Sequence, residues 1–510
     1  MTKKNILIAM IGLDGFYWDL IHELCENNLM PFLCSRLKRA YKALLRSTIT
    51  PYTPAAWTSI STGVNPCKHG VFGFFRVSKS SSGFEITYNT CNDVKYPRAW
   101  EMASLFGLKS FVVNFPFLYP FNRAVLGNKI YVVPGWETSI KKSYPGIILQ
   151  RFPRIAENAH DWWSKSKYPS NKEYLNTITR IIKLKLNSIL SFINENSVNL
   201  IFVVISETDW ILHRFGHVHG SDLMELKNFY LILDKFIKAI SDRSRLLVIT
   251  SDHGFKSYKG EFYVNNFLYR RGLLSYVIAK KDVRKESKSL KPSVIKKKMY
   301  VCFRKMFNKL PYAIRSKSLL RRIVKENPLI SSLKEEYDID YENSIAFSPE
   351  YTLLYIREKS YYDEVLRHLK RLNFLNIVDV TKLCGGSTGE TCLPDLIIVP
   401  KRDIHVSSIK DPGKGILSMR STFYHSERGI FLALADNIEP VQTMETISTY
   451  DIVPTILSYL NLPIPHDTDG RIIENIARRR KITYLNYRKK WQILRKIGEV
   501  AKRKRRVYGK

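Results

Sequence analysis

The sequence predicts an α/β fold, doubly wound, with a mostly parallel central sheet and helices on both faces. Three observations support that reading. Apolar runs of strand length alternate with amphipathic stretches of helix length, the rhythm of parallel βαβ units. The strand-like runs are apolar at consecutive positions, as in strands covered on both faces. Acidic and imidazole residues recur just past the ends of these runs, at the edge where such a sheet keeps its site.

Residues 5–13 (NILIAMIGL) read as a buried strand ending in the turn dipeptide Asp14-Gly15. The run is too short for a signal peptide and has no small-residue cleavage site before Asp14. A helix is expected over 18–38, where Leu20, Leu24 and Leu33 fall near helical spacing. Pro51 and Pro54 should keep Thr53 out of regular structure, with a helix starting from Ala55. A hydroxyl beside a helix N-terminus faces unpaired N–H groups, a favourable place for phosphate.

Residues 109–114 are a further strand, followed by a loop-rich region holding Trp136, Trp162 and Trp163. An amphipathic helix over 171–196 feeds a strand at 198–206. Asp209 and His213 are four apart and share a face if a helix begins there. A helix over 222–240 precedes the strand 246–250, which runs into Ser251-Asp252-His253-Gly254. Gly254 is read as permitting the turn that lets Asp252 and His253 converge. Residues 394–399 are a late strand, 421–430 a loop that delivers His425, and 451–457 a capped helix start. His69, His217 and His219 read as structural or solvated.

The net charge is +35. Residues 280–334 hold 18 Lys/Arg against 3 Asp/Glu, and 478–510 hold 15 against 1. Basicity therefore belongs to a helical insertion (280–334) and a tail (476–510), set between and after core segments 1–279 and 335–475. Such segments meet anionic membrane surfaces or nucleic acid. The seven cysteines, odd in number and scattered, suggest no disulfide framework and a reducing, cytoplasmic compartment, with peripheral membrane contact through the basic segments. No apolar run approaches the ~20 residues of a membrane span.

Asp14, Asp209, Asp252, His213, His253 and His425 form the ligand supply for two divalent metals, zinc or manganese. Paired metals ~4 Å apart suit phosphoryl transfer, and Thr53 is then the candidate nucleophile.

The motifs Gly12-Leu13-Asp14-Gly15, Thr53 with Pro54-Ala55-Ala56-Trp57-Thr58-Ser59, and Pro66-Cys67-Lys68-His69-Gly70 stand in one order with four others. These are Asn114-Phe115-Pro116, Glu207-Thr208-Asp209-Trp210 with His213, Ser251-Asp252-His253-Gly254-Phe255, and His425 followed by Asp451-Ile452-Val453-Pro454. Together they resemble the alkaline phosphatase superfamily, in its type I phosphodiesterase/nucleotide pyrophosphatase branch, over 5–275 and 338–475. The resemblance implies an alkaline phosphatase-like fold and a phosphodiesterase. It implies one metal on Asp209, His213 and His425, and another on Asp14, Asp252 and His253 with Thr53. It also implies in-line attack by Thr53, giving a phospho-threonine that water hydrolyses.

One position departs from the pattern. Members usually carry an Asn three residues after the nucleophile, bound to a phosphate oxygen; Ala56 stands there, so the donor must be the Ala55 N–H or a group from elsewhere. Nothing fits the C/S-x-P-x-R setting of sulfatases, and Thr53 argues against the phosphoglycerate mutases, which use Ser. A phosphomonoesterase or phosphotransferase of the same superfamily is the near alternative. A weakly catalytic protein that binds polyanions or membranes is the distant one.

Overall fold

The computed structural model describes residues 5–80, 83–138, 141–158, 168–217, 220–278, 337–385, 391–401, 403–436, 438, 444–477 and 482–508. The expected insertion 280–334, Trp162, Trp163 and His219 lie outside them.

The fold is α/β around one large sheet. Its strands, with one antiparallel pair (β7 and β8) that stands outside it, are β1 (Ile6–Leu13), β2 (Tyr41–Arg46), β3 (Ser110–Val113), β4 (Ile130–Val133), β5 (Leu200–Ile205), β6 (Ser244–Thr250), β7 (Gly254–Tyr258), β8 (Thr422–Ser426), β9 (Arg428–Leu434) and β10 (Glu445–Ser448). The sheet order is β10-β2-β9-β6-β1-β5-β3-β4. From β6 to β4 all neighbours are parallel. Only β9 runs against both of its neighbours, β2 and β6.

Alternation along the strands divides the core in two. Ala9, Ile11 and Leu13 of β1 join Ile201, Val203 and Ile205 of β5 in one apolar cluster, which includes α2 (Asn171–Glu195) and α4 (Lys227–Ser241). Ile8 and Met10 join Leu200, Phe202 and Val204 in the other, with Trp57 of α1 (Thr53–Thr62) and Ile456 of α5 (Ile452–Tyr459). Each buried Ile, Leu, Val, Met or Phe among them contributes about 1.5–3 kcal/mol, so burial on both faces holds the sheet centre. On β1, Gly12 admits the Trp57 ring, which a Cβ would meet at 2.3 Å.

A second, antiparallel sheet is built from Ala346–Phe347, Leu353–Ile356, Leu396–Pro400 and Leu375–Asp379, in that order, over its own apolar cluster. The late strand expected at 394–399 is real but belongs here, not to the central sheet.

Other expectations are corrected. The helix over 18–38 is two helices, Trp18–Glu26 and Pro31–Arg36. Asn28 takes a left-handed φ of 53° between them, and Pro31 can begin a helix but not continue one. Thr53 opens α1 rather than preceding it, because Pro54 sits in the first turn, where a missing N–H costs nothing. The loop expected at 421–430 is the strand β8, paired with β7. The basic tail carries a helix, α6 (Tyr487–Tyr508). Disulfides join Cys25 to Cys34 and Cys67 to Cys384; the second spans 317 positions, a separation that spacing cannot reveal. The cysteine content therefore no longer favours a reducing compartment. No helix among the described residues is long and apolar enough to cross a membrane.

Gly254 is needed for a reason other than a turn. A Cβ there would lie 2.1 Å from the Arg428 carbonyl oxygen, so the residue allows β7 to lie against the start of β9. Gly254→Ala should destabilise the fold by about 1–3 kcal/mol, read as a lower urea midpoint with unchanged slope. An unchanged midpoint would show that this approach is not tight.

Candidate active site

The central strands β6, β1 and β5 are neighbours in register: Gly12 pairs with Thr250, and Leu13 with Ile205. Their C-terminal ends therefore lie side by side, and the residues that follow share one edge. Asp14 follows β1. Asp252 and His253 follow β6. Asp209 and His213 lie one turn apart on α3 (Glu207–Phe215), which starts just past β5. His425 arrives on β8, opposite Phe255 of β7.

Two groups of donor atoms result. Asp209, His213 and His425 form one, and Asp14, Asp252 and His253 the other; within each, the atoms lie within 4.8 Å of one another. In the first, Asp209 Oδ1 is 3.4 Å from His213 Nε2 and 3.3 Å from His425 Nε2, and the two nitrogens are 2.9 Å apart. In the second, His253 Nε2 is 3.6 Å from Asp14 Oδ1, 3.3 Å from Asp252 Oδ2 and 3.3 Å from Thr53 Oγ1. The imidazoles of His253 and His425 stack at 3.6 Å between centroids, which joins the groups.

These separations suit a metal. Four ligands arranged tetrahedrally at ~2.0–2.1 Å stand roughly 3.3–3.4 Å apart. The carboxylates are also half-satisfied. Asp14 Oδ2 accepts from Trp57 Nε1 at 3.3 Å, and Asp252 Oδ1 from the Gly15 N–H at 3.3 Å. Asp14 Oδ1, Asp252 Oδ2 and Asp209 Oδ1 are buried without a hydrogen-bond partner among the described residues. Buried polar atoms are normally paired, so three free oxygens facing imidazole nitrogens fit a cation.

Charge states agree with that. Burial, and after it the Asp252 carboxylate, holds Asp14 well above the usual carboxylate range; burial also raises Asp252. Burial pushes His213 down to about 4 and, together with His253, lowers His425. Neutral imidazole is the form that ligates a metal.

Around the donors, hydrogen bonds fix position. Thr208 Oγ1 donates to the Asp14 carbonyl at 2.7 Å, and Ser47 Oγ to that of Asp252 at 2.5 Å. Asn114 Nδ2 donates to Val204 O at 2.9 Å and Ser206 Oγ at 3.1 Å. Lys185 of α2 forms a fully buried ion pair with Glu207, which anchors the first turn of α3. His69 is structural: buried, bonded to Ser59 Oγ at 2.9 Å, and pushed down to about 3 by burial. His217 lies against the Tyr17 hydroxyl at 3.3 Å. Trp136 packs on Trp210 and Phe74 rather than standing free.

The family model for type I phosphodiesterase / nucleotide pyrophosphatase matches residues 8–413. The chain belongs to that family. It is accordingly a phosphoester hydrolase by kinship. No curated protein matches it in sequence. Among solved structures it is similar to phosphonoacetate hydrolase from Sinorhizobium meliloti, in complex with phosphonoformate: TM-score 0.54 at 12% identity, covering 88% of this chain and 94% of that one. It is also similar to human ectonucleotide pyrophosphatase / phosphodiesterase 5, with TM-score 0.55 at 12% identity, covering 93% and 100%. At such identity these likenesses show the fold.

Sequence reasoning missed Glu350. It is 5% exposed, accepts from the N–H groups of Phe74 and Phe75 at 2.9 and 2.7 Å, and from the hydroxyl of Tyr52, beside Thr53, at 3.0 Å. No local pattern marks it, because its partners lie some 275 positions away.

Burial pushes Glu350 up to about 7, from an ordinary 4.5. The folded state then keeps a proton that the unfolded chain has released. The stability this group adds is full below pH 4.5 and is lost as pH rises through about 7. Glu350→Gln fixes the neutral form. Its unfolding free energy relative to the parent should rise by roughly 3 kcal/mol from the acid to the alkaline side of this window. Parallel pH profiles in urea titrations would show that another group carries the dependence.

Proposed function

We propose that the chain hydrolyses phosphate esters, diesters foremost, with Thr53 as nucleophile and two divalent cations as cofactor. The observation that carries this reading is the convergence of unpartnered carboxylate oxygens and imidazole nitrogens beside the Thr53 hydroxyl. Asp209, His213 and His425 would hold one cation; Asp14, Asp252 and His253, with Thr53, the other. The nitrogen and oxygen donors suit zinc, with manganese as the near alternative. When bound, the pair would neutralise nonbridging phosphate oxygens and favour the alkoxide of Thr53.

The chain's own groups do the remaining work. Thr53 lies in the first turn of α1, where backbone N–H groups lack intrahelical acceptors and favour an anion. The Ala56 N–H bonds to the Tyr52 carbonyl at 3.0 Å, so Ala56 provides no donor in place of the family's Asn. The Ala55 N–H, with no acceptor within the helix, takes that role in this reading. Trp57 and Gly15 each hold the outer oxygen of a carboxylate and aim the inner one. Thr53 attacks phosphorus in line, the alcohol departs, and water cleaves the resulting phospho-threonine. Loss of the Asn amide costs affinity for the phosphoryl oxygen, which suits a substrate that brings binding energy from elsewhere. The same groups serve a phosphomonoesterase, and relative rates on the two ester types decide between them.

Two tests follow. Thr53→Ala should lower hydrolysis of bis-p-nitrophenyl phosphate by roughly 10³-fold or more while most bound zinc, measured by mass spectrometry, remains. Unchanged turnover would remove Thr53 from the chemistry. Asp252→Ala or His253→Ala should lose bound metal and activity together, with the far-UV circular dichroism preserved. Retained metal would refute the ligand assignment.

A further inference from the structure

The helix α6 shows two faces of different character. One is docked on the core. Tyr487 and Trp491 are buried at 1% and 7% exposure. Arg495 donates to the carbonyls of Val94 and Asn92 at 2.9 and 3.1 Å, and its guanidinium covers the Trp491 ring at 4.7 Å. Gly498 lies so near Asn122 that a Cβ would stand 2.3 Å from its amide oxygen. These contacts fix the rotation of the helix about its axis.

The other face points away. Ile493, Ile497 and Val500 are 52%, 55% and 54% exposed, and positions i, i+4 and i+7 form one stripe. Lys489, Lys496 and Arg503, seven apart, run along one flank of the stripe, and Lys490 stands on the other; all four are exposed. Glu499 is the only carboxylate from 478 to 510. A merely solvated helix has no use for three branched aliphatics in a row. Single-stranded nucleic acid would use the cations and stacking aromatics but offers nothing to an aliphatic stripe. A surface with phosphate headgroups above hydrocarbon uses both: cations at the headgroups, aliphatic side chains a few Å below.

We propose that α6 is a docking helix for an anionic phospholipid bilayer, lying in the headgroup plane with Ile493, Ile497 and Val500 inserted. The core holds this helix in place, so binding positions the whole enzyme at the surface. The proposal rests on α6 alone and stands or falls apart from the chemistry assigned to Thr53.

The test is co-sedimentation of the full chain with vesicles of phosphatidylcholine alone and of equal parts phosphatidylcholine and phosphatidylglycerol. Binding is expected to the mixed vesicles only and should weaken with salt. Combined Ile493→Ser, Ile497→Ser and Val500→Ser should lower partitioning roughly tenfold or more. Duplex DNA binding and phosphodiester hydrolysis should not change. Ile497→Ser alone should give a smaller loss in the same direction, which keeps the test valid if the triple variant is unstable. Lys489→Glu with Lys496→Glu should also reduce vesicle binding. Equal partitioning of both serine variants and the parent, or equal binding to neutral and mixed vesicles, would overturn the proposal. So would loss of DNA binding alone in the lysine variant, which would mark a nucleic-acid surface instead.

Discussion

Asp14, Asp209 and Asp252 place three carboxylates side by side where water barely reaches. Like charges in such a medium repel strongly, and each has lost its hydration. Protonation relieves part of that, which is why Asp14 and Asp252 titrate high. It does not give partners to the oxygens left unbonded. The arrangement makes physical sense as a receptacle for positive charge, and much of the surrounding structure maintains it. Trp57 is one example: admitted by the missing side chain of Gly12, it closes the core beneath β1 and also holds Asp14 by its ring nitrogen.

Rigidity comes from the sheet and from bonds that cross between elements. Ser251 Oγ donates to the Phe16 carbonyl at 2.8 Å and accepts from the Ile430 N–H at 2.9 Å, so the ends of β6 and β9 and the turn after β1 move together. The Lys185–Glu207 pair does the same for α3. Removing one partner from such a buried pair strands the other charge, so it restricts where the helix bearing Asp209 and His213 can sit.

Much of this was legible in the sequence. Consecutive branched apolar residues before Asp14 and Asp252 announced strands buried on both faces, and strand ends share an edge in a parallel sheet. The four-residue spacing of Asp209 and His213 needed only a helix, and there is one. What was not legible depends on partners distant in sequence. The run at 394–399 has strand character, but nothing in it says which sheet it joins. His425 looked loop-borne because the turn-rich flank of β8 conceals a pairing with β7. Cys67 finds Cys384, and Glu350 finds Phe74 and Phe75, only once the smaller sheet packs near the start of α1. Gly254 stands out in the sequence as a turn former, but its lack of a side chain matters for space, not for a turn.

The position of β9 bears on how the protein is made. In the finished sheet it lies between β2 and β6, yet it is synthesised after some 177 further residues beyond β6, starting at Arg428. Until it leaves the ribosome, β2 and β6 each present an open edge, and His425 has not been delivered. Open strand edges pair readily with other chains. The growing polypeptide thus passes through a long interval in which its sheet is split and its donor set incomplete.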